Sequence, residues 1–288
     1  MTSNALFAGR PETCLSATLH HLVIGSPDPA ALADFYRRAT GLDPMTIDGK
    51  PGGLAQGRRL LFEQGEARTL HRAVFELPEA EELVRLRQRI RAAGHAFEDR
   101  PVPFMVDAVC VKDPDGTELA FGVSARAGDA GQQGNSPPAR LQHVVMSSPD
   151  PAPICSFFEE VLGFTRSDNV RDTAGNLTTT FLRCSAEHHS FAVFKASRSS
   201  FDHHCYEVTD WNAIRDWADH FADQKIQLKW GPGRHGPGNN LFIFVHDPDG
   251  NWVEFSAELE IVSHDRPVLD WPHEERTLNS WGIGLLRS

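Results

Sequence analysis

The sequence predicts an α+β protein of two homologous domains, each assembled from two βαβββ-like modules, so that four modules follow one another along the chain. Three observations carry this expectation. The stretch LHHLVIGSPDPAALADFYRRATGL, from Leu19, aligns without a gap to LQHVVMSSPDPAPICSFFEEVLGF, from Leu141, so that His21 falls on His143, Asp28 on Asp150, Phe35 on Phe157 and Gly41 on Gly163. A second pair repeats further on, VKDPDGTELAF from Val111 against VHDPDGNWVEF from Val245. Between the copies, SARAGDAGQQGNSPPAR has the composition of a linker. The expected boundaries are 1–123 for an N-terminal domain, 124–140 for the linker, and 141–288 for a C-terminal domain that includes a tail.

Each copy reads in the same order. An alternating strand (LHHLVIG, LQHVVMS) runs into a Pro-Asp-Pro helix start and a short amphipathic helix that stops at Gly41 or Gly163. Several strands follow. A second strand then leads into a second helix: HRAVFEL before PEAEELVRLRQRIRAAG, and HHCYEV before DWNAIRDWADHFADQ. Strands on either side of the DPDG turn close each domain. The architecture expected is one of curved sheets with the helices outside.

The bulk numbers exclude several classes. A chain of 288 residues with 40% hydrophobic and 23% charged residues is that of a soluble globular protein long enough for two domains. A formal charge of −11 argues against a general binder of nucleic acid or anionic membranes. No apolar run approaches the roughly 18 residues of a membrane span, and MTSNALFAGRPETC lacks the basic start and apolar core of a signal peptide. The five cysteines, Cys14, Cys110, Cys155, Cys184 and Cys205, show no CxxC spacing and read as reduced thiols of a cytoplasmic protein.

The chemistry lies in the histidines and one glutamate. NWVEF puts Glu254 among aromatic and β-branched neighbours, where a carboxylate is costly unless it is paired or bound to a metal. The repeat acts as an internal control. Aligning HHCYEV with its N-terminal counterpart on the shared Glu sets Glu207 on Glu76 and His203 on Arg72. Counting from the DPDG glycine sets Glu254 on Ala120. One copy thus carries His143, His203 and Glu254, whereas the other carries His21, Arg72 and Ala120. Alternation along the strand puts His203, Cys205 and Glu207 on one face and His204, Tyr206 and Val208 on the other. Two imidazoles and one carboxylate with open positions opposite form a facial triad suited to non-haem Fe(II) and O₂.

With these residues in view, the chain resembles the two-domain extradiol ring-cleavage dioxygenases of the vicinal oxygen chelate superfamily, which also holds glyoxalase I and bleomycin-resistance proteins. The resemblance covers nearly the whole chain, including a degenerate first domain and the tail RPVLDWPHEERTLNSWG. It implies the vicinal oxygen chelate fold, a metal-free N-terminal domain, and His143, His203 and Glu254 as ligands of Fe(II), with Mn(II) as the other candidate. HHSFAVF is similar to the family's His-His strand, which implies His189 as the acid/base residue and leaves His188 as its competitor. GRHGPGNN is similar to the loop whose histidine touches a substrate hydroxyl, which implies His235. His203 is preferred to His204 on the His-x-x-x-Glu-Val register. The implied partners are a small aromatic substrate and O₂, with no nucleic acid and no membrane, in a homo-oligomer. The family usually has a tyrosine on the strand before DPxG; here Phe244 stands at that substrate-facing position and has no hydroxyl to give.

Two other readings remain open. A glyoxalase-type lyase or isomerase uses the same fold but usually presents two carboxylates among four ligands. A non-catalytic small-molecule-binding module has no need of a complete triad. For the remaining polar residues the bland expectation is preferred. His21 is structural, Glu207 makes a salt bridge, His246 is an exposed loop residue, the cysteines pack, and GPGRHGPG lacks the strand–helix context of a phosphate loop.

Overall fold

A computed structural model of the chain describes residues 14–124 and 136–286. The first domain runs β1 (Thr18–Ser26), α1 (Pro29–Thr40), β2 (Asp43–Ile47), β3 (Lys50–Ala55), β4 (Arg58–Gln64), then β5 (Thr69–Glu76), α2 (Ala80–Ala92), β6 (Glu98–Asp99), β7 (Met105–Lys112) and β8 (Glu118–Ser124). That is βαβββ twice. The second domain repeats it. Its first module is β9 (Arg140–Ser148), α3 (Pro151–Ser156), a π-helical turn (Phe157–Leu162), β10 (Thr165–Arg171), β11 (Leu177–Arg183) and β12 (Phe191–Lys195). Its second is β13 (Ser200–Val208), α4 (Trp211–Asp223), β14 (Trp230–Arg234), β15 (Leu241–His246) and β16 (Trp252–Ala257). The tail adds β17 (Leu269–Pro272) and the short α5 (Glu275–Leu278).

Local chemistry accounts for these elements. Asp28 caps α1 by accepting from the Ala31 amide at 3.0 Å, and Pro29 supplies the fixed φ of a first helical residue. Gly41 then ends the helix at φ 64, and Gly163 ends its counterpart at φ 84, in the left-handed region that favours glycine. The second copy differs from the single amphipathic helix expected: six α-helical residues pass into a π-helical turn. Both DPDG turns are Asx turns. Asp113 accepts from the amides of Asp115 and Thr117, and Asp247 from those of Asp249 and Asn251.

Each domain is one mixed sheet. The first has the order β2-β3-β4-β1-β5-β8-β7-β6, the second β14-β15-β16-β13-β9-β12-β11-β10-β17. An antiparallel pair, β1–β5 or β9–β13, sits at each centre, and a parallel neighbour flanks it on either side. The register bears out the alignment of the copies, since Val74 lies between His21 and Ala120 as Cys205 lies between His143 and Glu254.

Helix α4 buries Ile214, Trp217 and Phe221, with the Trp217 ring centroid 4.2 Å from that of Phe255. Each such side chain contributes about 1.5–3 kcal/mol by leaving water. The core continues across both domains through Phe75, Phe121 and Phe164. Polar ties cross the same seam: Tyr36 Oη donates to Asp247 Oδ2 at 3.0 Å, and Arg89 to the Leu162 carbonyl at 2.8 Å. The tail forms a ninth strand, since β17 runs parallel to β10 at the sheet edge. No described helix is long and apolar enough to cross a membrane.

A candidate metal centre and its cavity

Three adjacent strands, β9, β13 and β16, bring His143, His203 and Glu254 together. Glu254 is 1% exposed, with Val253 and Phe255 packed into the core on the opposite face. Its Oε2 lies 3.1 Å from His143 Nε2 and 3.3 Å from His203 Nε2. The other nitrogen of each ring is already engaged. His143 Nδ1 donates to Gln142 Oε1 at 2.5 Å, and His203 Nδ1 to Asp202 Oδ1 at 2.6 Å. The Gln142 amide group donates instead to the His189 carbonyl at 2.7 Å, which assigns its oxygen to the histidine.

With both rings neutral, those bonds fix the Nδ1–H tautomer, so two Nε2 lone pairs face a carboxylate oxygen in a buried site. Lone pairs confronting one another in low dielectric repel unless a cation lies among them or the imidazoles take up protons. Metal–ligand bonds of about 2.1 Å at right angles would separate ligand atoms by roughly 3 Å. The donor types, and the spacing of Glu254 Oε2 from each nitrogen, therefore fit a divalent transition metal, and Gln142 and Asp202 are the partners that orient such ligands. Burial lowers the pKa of His143 despite Glu254, whereas for His203 the desolvation is outweighed by Asp202 and Glu254 and the pKa rises. Burial would raise the Glu254 carboxyl, but His143, His203 and His235, once protonated on Nε2, hold it well below the usual range.

Cys205 stands beside this group, as alternation implies, and donor atoms of His143, Cys205 and Glu254 all lie within 4.8 Å of one another. The thiol points to Ser256 Oγ at 3.2 Å, does not line the cavity, and is pushed well above its ordinary pKa by burial and then by Glu254. His203 does line the cavity. Glu207 keeps the face shared with Cys205 and Glu254, since β13 pairs with β16 without a slip, but it lies beyond the cavity at the strand's far end, where it makes the expected salt bridge, with Arg140.

The remaining histidines divide clearly. His189 is buried on the cavity wall, its ring 4.3 Å from that of His143. His188 turns away, with Nε2 3.0 Å from Asp168 Oδ2 and Nδ1 3.1 Å from His189 Nδ1. With His188 carrying its proton on Nε2, toward Asp168, its Nδ1 accepts from His189 Nδ1–H and leaves His189 Nε2 as a base. Burial, then His143 and His188, lower the His189 pKa well below the ordinary value, so the ring is neutral. His235 donates from Nδ1 to the Leu278 carbonyl at 2.5 Å and lies flat on Phe242, 4.0 Å between centroids. Its Nε2 reaches into the cavity, 3.6 Å from Glu254 Oε1, beyond hydrogen-bonding distance. Phe244 lines the cavity between His203 and Trp230. His246 is not a loop residue: it ends β15, half-buried against Trp252 at 4.0 Å and outside the cavity lining. His204 is a core residue, stacked on Phe201.

In the first domain the corresponding place is filled. Val74, Val102, Ala108, Cys110 and Ala120 pack together there, Arg72 pairs with Glu118, and His21 shares a hydrogen bond with His20. Sequence reading missed Gln142, Asp202, Asp168 and Asn240 around the second site. The first two had a signal, since each directly precedes a ligand-type histidine. Asp168 and Asn240 come from distant segments and had none. His273, Thr277, Leu278 and Leu285 close the cavity from the tail.

The family model of the Glyoxalase/Bleomycin resistance protein/Dioxygenase superfamily matches residues 140–255. The chain is 30% identical over 248 residues to biphenyl-2,3-diol 1,2-dioxygenase of Pseudomonas sp. (strain KKS102), covering 75% of this chain and 82% of that protein. It is 26% identical over 302 residues to metapyrocatechase 2 of Cupriavidus necator, covering 96% and 91%. Among solved structures, homoprotocatechuate 2,3-dioxygenase of Arthrobacter globiformis superposes with a TM-score of 0.81 at 20% identity, covering 96% of this chain and 91% of that one. The Mn(II)-bound glyoxalase of Novosphingobium aromaticivorans does so with 0.79 at 24% identity, covering 95% and 93%. The chain belongs to the glyoxalase/bleomycin resistance protein/dioxygenase superfamily and, within it, to the extradiol ring-cleavage dioxygenases.

Proposed function

We propose that the second domain is an Fe(II)-dependent extradiol dioxygenase that opens a catechol-type ring beside its two vicinal hydroxyls, with Mn(II) as the other candidate metal, and that the first domain binds no metal. The observation that carries this reading is the convergence of two Nε2 lone pairs and one carboxylate oxygen in a buried site at the end of an apolar cavity. His143, His203 and Glu254 would hold the ion, which when bound supplies the redox contact with O₂ and lowers the pKa of a substrate hydroxyl.

The side chains do the rest. Phe181, Phe194, Trp230 and Phe244 would grip the ring and its substituent and keep water out. No lysine or arginine is among the described residues that line the cavity, so an uncharged substituent suits it better than a carboxylate. His235 Nε2, held by the Leu278 carbonyl, would accept from a substrate hydroxyl. His189 Nε2 would take the second hydroxyl proton and return it as the ring opens, with His188 and Asp168 holding its tautomer. Both atoms of O₂ end in the product, a hydroxymuconic semialdehyde-type acid.

The test is O₂ uptake by anaerobically purified protein given Fe(II), with catechols from unsubstituted to biaryl. Uptake with a yellow product, lost in His203→Ala and Glu254→Ala, is the expected result. Bound metal without uptake on any catechol would overturn it and turn attention to glyoxalase-type isomerisation. The single carboxylate at the site argues against that second chemistry.

A further inference from the structure

Asn240 stands just before β15, on the same face of the strand as Phe242 and Phe244, and is 1% exposed. Gly238 and Asn239, both left-handed at φ 77 and φ 53, bend the chain immediately before it. The loop is held there by backbone bonds, His235 N to the Asn240 carbonyl at 3.0 Å and Glu260 N to the Gly238 carbonyl at 2.9 Å. The Asn240 amide nitrogen donates to Glu254 Oε1 at 3.2 Å. Its orientation is fixed by chemistry, because the flipped amide would set oxygen against a carboxylate. Asn240 Oδ1 is buried, has no donor among the described residues, and belongs to a side chain on the cavity wall.

The two oxygens of Glu254 are therefore divided. Oε2 faces the His143 and His203 nitrogens, while Oε1 is occupied by Asn240, with His235 Nε2 too distant to replace it. We propose that Asn240 is a positioning residue: its N–H holds Oε1, so that Glu254 offers only Oε2 to the metal. This rests on the metal-centre reading above. Without that donor Oε1 would be buried and unpaired, and the carboxylate would be free to turn and offer both oxygens. Phe244, directly across from Glu254 in the sheet register, has no polar atom to share this role.

The experiment is anaerobic Mn(II) titration of the full chain against a chromogenic chelator, for the wild type, Asn240→Leu, Asn240→Ser, His143→Ala and Asn239→Gly, with circular-dichroism melting of each metal-free protein. Asn240→Leu keeps the volume and removes the donor. The dissociation constant is expected to rise roughly 10–100-fold, with a smaller rise in Asn240→Ser, whose hydroxyl can still donate, and none in the exposed Asn239→Gly. A folded Asn240→Leu that binds Mn(II) like the wild type overturns the proposal and leaves the metal centre standing. A wild type that binds no better than His143→Ala removes the metal centre and this proposal with it. Should neither Asn240 variant fold, the wild type decides the matter. Its Mn(II)-induced infrared difference spectrum should carry the carboxylate splitting of one-oxygen ligation, and a two-oxygen signature overturns the assignment.

Discussion

At the scale of single residues, the division of labour among histidines is set by what each second nitrogen touches. His189 and His188 are neighbours in sequence, yet one faces the cavity and the other faces Asp168. His189→Asn is expected to lower kcat by roughly 10²–10⁴-fold, the ordinary range for loss of an acid/base group. His188→Gln should lower it less, shift the pH profile of kcat and leave KM nearly unchanged, because it acts through His189. Equal losses in kcat and KM would instead mark His188 as packing alone. Phe244 can be tested in the opposite direction. Phe244→Tyr adds one hydroxyl at the cavity wall, and a new hydrogen bond to a transition state is worth about tenfold in rate. An unchanged kcat would mean that His235 already supplies the missing contact.

At the scale of elements, the helices of the second domain pack on the core side of its sheet and leave the other face to the cavity. Helix α4 shows how few residues decide this. Asp210 accepts from the Ala213 amide at 3.1 Å and starts the helix, while Ile214, Trp217 and Phe221 bury its inner face. Asp210→Ala should cost about 1 kcal/mol as a lost N-cap, read as a fall of a few degrees in melting temperature. Trp217→Ala should cost about 3–5 kcal/mol by cavity formation. Denaturant melts of the two variants check both, and equal losses would contradict the packing described.

At the scale of the whole molecule, the seam between domains carries a pH dependence. Asp247 is pushed up to about 6 by burial, against the lowering pull of Asn251 and Tyr36. A carboxyl raised above its ordinary value near 3.8 opposes folding when ionised, so its contribution to stability falls as pH rises from about 4 to about 6 and is level above that. Tyr36→Phe removes the donor that eases the charged form. The variant should therefore lose about 1 kcal/mol at pH 8, and the loss should shrink as pH falls below about 6. Urea melts at pH 8 and pH 5 measure it, and a loss independent of pH would detach Tyr36 from Asp247.

The sequence by itself determined the repeat, the order of strands and helices within each module, and that His143, His203 and Glu254 converge on one sheet face. These were legible because a duplicated chain displays its own alignment, because side-chain alternation reports which face is buried, and because a glutamate between core residues demands a partner. A reading failed where a non-local event intervened. His246, expected in an exposed loop, is instead the last residue of β15, packed against Trp252. Only the tertiary structure could bring Asp168 to His188 and Asn240 to Glu254, since such a polar contact depends on the meeting of two atoms that no local pattern relates. Periodicity is written along a strand; the partner of a buried oxygen is decided by whichever distant segment folds over it.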